Sequence, residues 1–224
     1  MKKVINLILA VCAVALVWAL VESIMGPINF EKEQKVREAA VKKRLIQIRE
    51  AEEQYKLQHE GEYCDTMENL IKFVNEARIA TVIKEGELTD DQMDAGLTED
   101  KAAAIVRSGN QAEIAAKGLQ GFRRDTAWVS LKENLYGANF NADSLAYIPY
   151  SNGEKFELEK GFITNKSGNI EYLMECRAPI ESYMKGMDEN TIASMKEDAE
   201  KYSRYSGLKI GDLDNGNNNA GNWE

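Results

Sequence analysis

The apolar and polar positions of this chain fall into three textures. From Val4 to Val21 apolar side chains run almost unbroken, Asn6 being the one strongly polar residue, and Ile24 and Met25 carry the run past Glu22. About 20 such residues cross the hydrocarbon core of a bilayer. Residues 4–25 are therefore expected to be a membrane-spanning helix, with Trp18 near its outer interface. Gly26-Pro27 is expected to stop that helix, since proline lacks an amide donor and restricts the residue before it. A densely charged stretch from Glu31 to Glu60 follows and reads as one long helix, with Glu31–Lys35, Glu33–Arg37 and Glu38–Lys42 as i,i+4 pairs in the favourable orientation. Its apolar stripe, Val41, Leu45, Ile48 and Tyr55, is clear only in the second half. The first half should be a solvated stalk, and the stripe should pack on a domain or face a partner.

Beyond Gly61 the elements shorten. Asp65 with Glu68 reads as a capping box opening a helix through Leu70 and Val74, and Ile79–Ile83 as a short strand. Thr89 with Gln92, and then Thr98 to Arg107, predict two short helices before Gly109-Asn110; residues 109–121 are polar and carry no definite element. Trp128–Tyr136, Ser144–Tyr150, Phe156–Thr164 and Asn169–Arg177 read as β segments, the last two joined by a hairpin connection over Asn165–Asn169. Asn190 starts a helix with Ile192, Met195, Ala199 and Tyr202 on one face, ended by Gly207, and the Asn/Gly-rich residues 212–224 should be loosely ordered. The expected architecture is α+β: a transmembrane helix, a long amphipathic helix and a small antiparallel sheet packed with helices. By residue the layout is an anchor over 1–26, a stalk over 27–60, an extracytoplasmic domain over 61–211 and a tail over 212–224.

Charge narrows the partners. The formal net charge is −9; Lys2, Lys3 and Glu22 give the first thirty residues +1, so the remainder carries −10. Such a balance disfavours nucleic acid and anionic lipid, which need clustered Lys and Arg. Lys2 and Lys3 favour a cytoplasmic N-terminus and hence an extracytoplasmic domain. A cleaved signal peptide is the rival reading, with Ala13-Val14-Ala15 as its site, but cutting there would leave the apolar Leu16 to Leu20 at the new terminus. In an oxidising compartment Cys64 and Cys176 are candidates for a disulfide closing a long loop; two separate thiols are the alternative.

Candidate chemistry is sparse. His59, the one histidine, sits at a helix end with no nucleophile or orienting partner near it in sequence, and reads as complementing the helix dipole. No phosphate-binding loop, nucleophile elbow or His-Glu-x-x-His occurs. The acidic run Asp90, Asp91, Asp94, Glu99 and Asp100 reads as first-turn helix acids rather than metal ligands, and Asp212-Leu-Asp214 departs from a calcium loop after three positions. No catalytic residue, metal or cofactor is expected. Tyr147, Tyr150, Tyr172, Tyr183, Tyr202 and Tyr205 suit packing between sheet and helix, while Trp223 in its Asn/Gly tail should dock either onto the domain or onto a partner.

The stretch Val36–Tyr55 followed by Gly61-Glu-Tyr63 resembles the bacterial type IV pilin and pseudopilin class, in which an apolar N-terminal helix continues into an amphipathic half and leads into a small sheet. The chain differs in having Glu22 at the far end of the apolar run, in Pro27, and in showing no short basic leader ending in Gly before Phe or Met. The anchor, the Tyr147–Phe156 segment and the closing Asn217–Glu224 also resemble an uncharacterised group of bacterial single-span envelope proteins. The second resemblance implies an architecture and supplies no activity; the expected role is a non-enzymatic structural or assembly component of a secretion- or pilus-related envelope machine, held in the cytoplasmic membrane and binding other envelope or membrane proteins. An envelope-tethered binding module for a peptide or glycan is the alternative.

Overall fold

The computed structural model describes residues 2–164 and 167–224. Its dominant element is α1, Lys2–Gln58, one helix that runs on through Pro27. The expected stop is therefore absent. Proline removes one hydrogen bond and crowds the preceding turn, but the helix-forming sequences on both sides carry the helix across. The three stalk ion pairs form as expected, Lys35–Glu31 at 2.6 Å, Arg37–Glu33 at 2.9 Å and Lys42–Glu38 at 3.4 Å.

The stretch expected as one domain, 61–211, divides into two compact units. The first contains the chain up to Phe73 together with Asn141–Glu224; the second is Val74–Phe140. The helix α2 (Met67–Glu76) is capped by Thr66, whose hydroxyl accepts the Asn69 amide at 3.3 Å, and not by the expected Asp65. Asp65 instead accepts from the Asn69 side chain at 2.9 Å, one turn on.

In the second unit β1 (Arg78–Glu85) pairs antiparallel with β2 (Arg123–Ser130) in a two-stranded sheet, from Arg78 opposite Ser130 to Glu85 opposite Arg123. Between them lie α3 (Asp90–Asp94), α4 (Glu99–Ser108) and α5 (Gln111–Ala116). Thr89 and Gln92 form the expected capping box, Thr98 caps α4, and Asn110 caps α5 in the stretch left without an element. Ala102, Ala103, Ile114, Leu119 and Phe122 close the core. The expected strand Trp128–Tyr136 ends at Ser130 and becomes helix α6 (Leu131–Tyr136), where Leu131 and Leu135 stand at helical spacing and the Leu131 amide bonds the Ala77 carbonyl at 3.0 Å.

The first unit holds a three-stranded antiparallel sheet in the order β3 (Glu157–Thr164), β4 (Ile170–Pro179), β5 (Gly207–Gly211). Asn165 and Lys166 of the expected hairpin connection lie outside the described residues. The expected strand Ser144–Tyr150 is instead a 3-10 helix, Ala142–Ala146, followed by a turn tied by the Tyr147–Lys155 bridge. Asn141 initiates it, its side chain accepting the Asp143 amide at 3.0 Å. After β4 come α7 (Ile180–Tyr183) and α8 (Glu189–Lys201), the latter showing its expected face at Ile192, Met195 and Ala199, although Tyr202 is exposed.

Gly207 does not end α8 but opens β5, an element the sequence reading lacked. It has φ 148°, and a Cβ there would meet the Ala178 carbonyl oxygen at 2.3 Å, so the strand can approach β4 only with glycine at that point. Residues 212–224 are not loose. The Asn222 amide bonds the Lys209 carbonyl at 3.0 Å, Gly221 bridges Ile210, and Asn219 is buried. The second half of α1 lies over β5, α7 and the 3-10 helix, with Val41, Leu45, Ile48 and Ala51 wholly buried.

Candidate functional site

The site with the most physical character is α1 itself. Over residues 9–25 its side chains are exposed, Trp18 to 68%, although nearly all are apolar. It is a helix long and apolar enough to cross a membrane. A contiguous apolar surface of this extent needs a cover other than water. The segment that follows exposes Ile28 ahead of its ion pairs and Val36 among them.

Arg37 marks where the helix meets the domain. Its guanidinium donates to the carbonyls of Tyr183 at 3.1 Å and Lys185 at 2.9 Å, satisfying the open C-terminal end of α7, and it lies 5.2 Å from the centroid of the Tyr150 ring. From Val41 onward the helix is core. The stripe Val41, Leu45 and Ile48 is thus used inside the chain and is not open to a partner. Tyr55, its last member, is half-buried, stacks on the His59 ring at 3.7 Å and meets Phe73 edge-on at 5.0 Å. His59 Nδ1 lies 2.9 Å from the Tyr55 carbonyl, at the helix end as expected.

Cys64 and Cys176 are both buried and both free thiols. Burial pushes the Cys64 thiol up to about 11 and raises that of Cys176, so neither is a ready nucleophile. The Cys64 thiol donates to the Thr66 carbonyl at 3.3 Å. Trp223 docks back on its own chain: its ring is half-buried, the Lys42 ammonium lies 5.7 Å from the ring centroid, and the neighbouring Glu224 pairs with Arg49 at 3.0 Å.

The residue that pattern reading missed is Glu52. It is fully buried, one turn beyond Ile48 on the same face, and accepts the Cys64 amide through Oε2 at 2.9 Å. Its other oxygen has no partner among the described residues. Burial pushes its carboxyl up to about 8, so it is neutral through most of the acid and neutral range. The signal was present in the sequence, because the 4,3 spacing of the stripe continued by four lands on residue 52. A glutamate in so charged a helix reads as solvated, and that reading masked it.

Elsewhere the polar groups serve structure. In the second unit an open cleft of about 730 Å³ is lined by Lys84, Leu88, Met93, Glu99 and Arg124. Arg124 is spent on Glu99 at 3.3 Å and on the Glu85 and Gly86 carbonyls at 2.9 and 3.0 Å, and it holds the Glu99 carboxyl below its ordinary value. Asp90, Asp91, Glu99 and Asp100 occupy helix first turns. Asp212 accepts the Asp214 and Asn215 amides and pairs with Lys209 at 3.2 Å. Among the described residues no group of three His, Cys, Asp or Glu side chains converges to hold a metal. The six tyrosines divide: Tyr183 is core, Tyr172 and Tyr205 are half-buried, and Tyr147, Tyr150 and Tyr202 are exposed. Against known proteins, no family model, no curated protein and no solved structure matches this chain.

Proposed function

We propose that the chain is a membrane-anchored, non-enzymatic structural or assembly component of a bacterial envelope machine, related to secretion or pili, that acts by binding other envelope proteins. The observation that supports this most is the continuity of α1. The helix that is apolar and exposed up to Met25 is the one that becomes the buried spine at Val41. A core built directly on its anchor cannot swivel about a linker. The sixteen residues from Met25 to Val41 set its standoff at about 24 Å for a straight helix at the usual rise per residue. The layout is the one implied by the resemblance to type IV pilins, and Pro27 does not interrupt it. Lys2 and Lys3 favour a cytoplasmic N-terminus, so the domain would lie on the periplasmic or outer face of the cytoplasmic membrane. The exposed stalk residues Ile28 and Val36 continue the apolar span and are its natural contact for a partner's helix.

The test is extraction of the native protein in mild detergent, capture through a C-terminal tag, and quantitative mass spectrometry with and without Val36→Glu. Other envelope proteins recovered in stoichiometric amount, and lost with the variant, support the reading. Recovery of the protein alone contradicts it and favours the second reading, a tethered binding module. For that reading the relevant surface is the polar cleft of about 630 Å³ lined by Glu53, Gln54, Lys56, Leu57, Tyr63 and Asn218, which suits a peptide or glycan.

A further inference from the structure

Glu52 is chemically foreign to the stripe it continues. It is as fully buried as Val41, Leu45 and Ile48, yet it carries a carboxyl group with one oxygen on the Cys64 amide and the other unpartnered among the described residues. An ionised carboxylate is not sustained in such a place without a cation or further donors. The groups that face it are Tyr55 on its own helix, Cys64 and Asp65 from the turn after α1, Lys160 from β3 and Cys176 from β4. Asp65 opposes a second negative charge. Lys160, the cation among them, is already paired with Glu62 at 3.3 Å. The turn starts at Glu60 (φ 53°) and Gly61 (φ 92°), both left-handed, the former at a steric cost, and there the Gly61 amide bonds the Lys56 carbonyl at 3.0 Å, so the part of the turn beyond Glu62 is what Glu52 holds.

We propose that Glu52 is a proton-operated latch: neutral, it clamps the turn of residues 63–66 onto α1, and on losing its proton it leaves the core, so that the turn opens and the Cys64 thiol is uncovered. The sign follows from burial, which favours the protonated form of the closed state. Opening therefore grows as pH rises through about 8 and is suppressed in acid. Among the described residues Oε2 is the acceptor for the Cys64 amide, at 2.9 Å, so that amide reports the latch directly.

The experiment is amide hydrogen exchange of the full chain in detergent micelles at about pH 6 and about pH 9, expressed as protection factors so that the pH dependence of intrinsic exchange cancels. In the wild type, protection at the Cys64 amide is expected to fall at least about tenfold while the Leu45 to Ile48 amides hold. In Glu52→Gln, which keeps an acceptor but cannot ionise, the change is expected to stay within about twofold. Equal losses in both proteins, or unchanged wild-type protection, overturn the latch. The Glu52 carboxyl is also titrated directly by carbon NMR in the wild type, which keeps the proposal testable should the variant not fold. A midpoint near 8 supports it, and a midpoint below about 6 overturns it.

Discussion

The buried Glu52 carboxyl should make the stability of this protein depend on pH in an unusual direction. Glu52 has an ordinary value of 4.5 and is pushed up to about 8 by burial. Between those values the folded chain keeps a proton that the unfolded chain releases. Its contribution is therefore complete below about pH 4.5, declines as pH rises, and is lost above about pH 8. At about 1.4 kcal/mol per unit, the loss is on the order of a few kcal/mol. Urea unfolding across that range should show wild-type stability falling relative to Glu52→Gln; parallel curves would contradict the assignment. A second residue-scale expectation concerns Gly211. It has φ 73°, and a Cβ there would meet the Met174 carbonyl oxygen at 2.0 Å. Gly211→Ala should cost more than about 2 kcal/mol in thermal or urea unfolding. Gly161→Ala, whose Cβ would meet only the end of the Leu213 side chain at 3.3 Å, should be nearly neutral. The spacing of the stripe places Glu52 on the buried face, but its raised carboxyl and the need for glycine at 211 could not be read from sequence, since both come from what other segments place around them.

Among elements, legibility followed how local the cause was. The helix α4, with Thr98 ahead of it and Gly109 behind, was readable because both caps are its near neighbours. The strands β1, β3 and β4 were found, although β4 shows little alternation because its central residues Leu173 to Cys176 are buried on both faces. The strand β5 was missed: Gly207-Leu-Lys-Ile-Gly211 is short and bounded by glycines, so it looked like the end of α8. Only the edge offered by β4 makes it a strand. The helix α1 was misread at Pro27 for the opposite reason, a local rule overridden by the helix-forming sequence on either side. Two tests belong at this scale. Leu45→Ala should destabilise the first unit by about 2–5 kcal/mol, as expected for a cavity under a wholly buried leucine. Pro27→Ala should leave the unfolding midpoint of that unit unchanged in the same detergent, because Pro27 and its neighbours are exposed and Val41, fourteen residues on, is where the helix becomes fully buried.

At the scale of the whole molecule, one helix performs two tasks that are usually separate. Its first part offers apolar surface left exposed over residues 9–25, and its last part is the spine of a unit that the C-terminal tail also helps to close through Asn219, Trp223 and Glu224. Composition made the candidate membrane span readable, because a run of apolar residues of that length needs no tertiary information. The insertion of Val74–Phe140 as a separate unit was not readable, since its boundaries carry no Pro-rich or Gly/Ser linker. The central claim is that the exposed apolar part of α1 lies in a bilayer while the stalk stands in water. The native Cys12, exposed on that part of the helix, is a built-in reporter, and Cys64 and Cys176 are buried, so labelling at about pH 6.5, where the Glu52 latch is closed, leaves both covered. The decisive measurement is labelling of membrane fragments, accessible from both faces, with a charged maleimide that cannot enter lipid, comparing Cys12 with a cysteine introduced by Lys35→Cys at an exposed stalk position. Cys12 protected until detergent is added, with position 35 labelled from the start, is the predicted result. Cys12 labelled as readily as position 35 before detergent would contradict the membrane anchor.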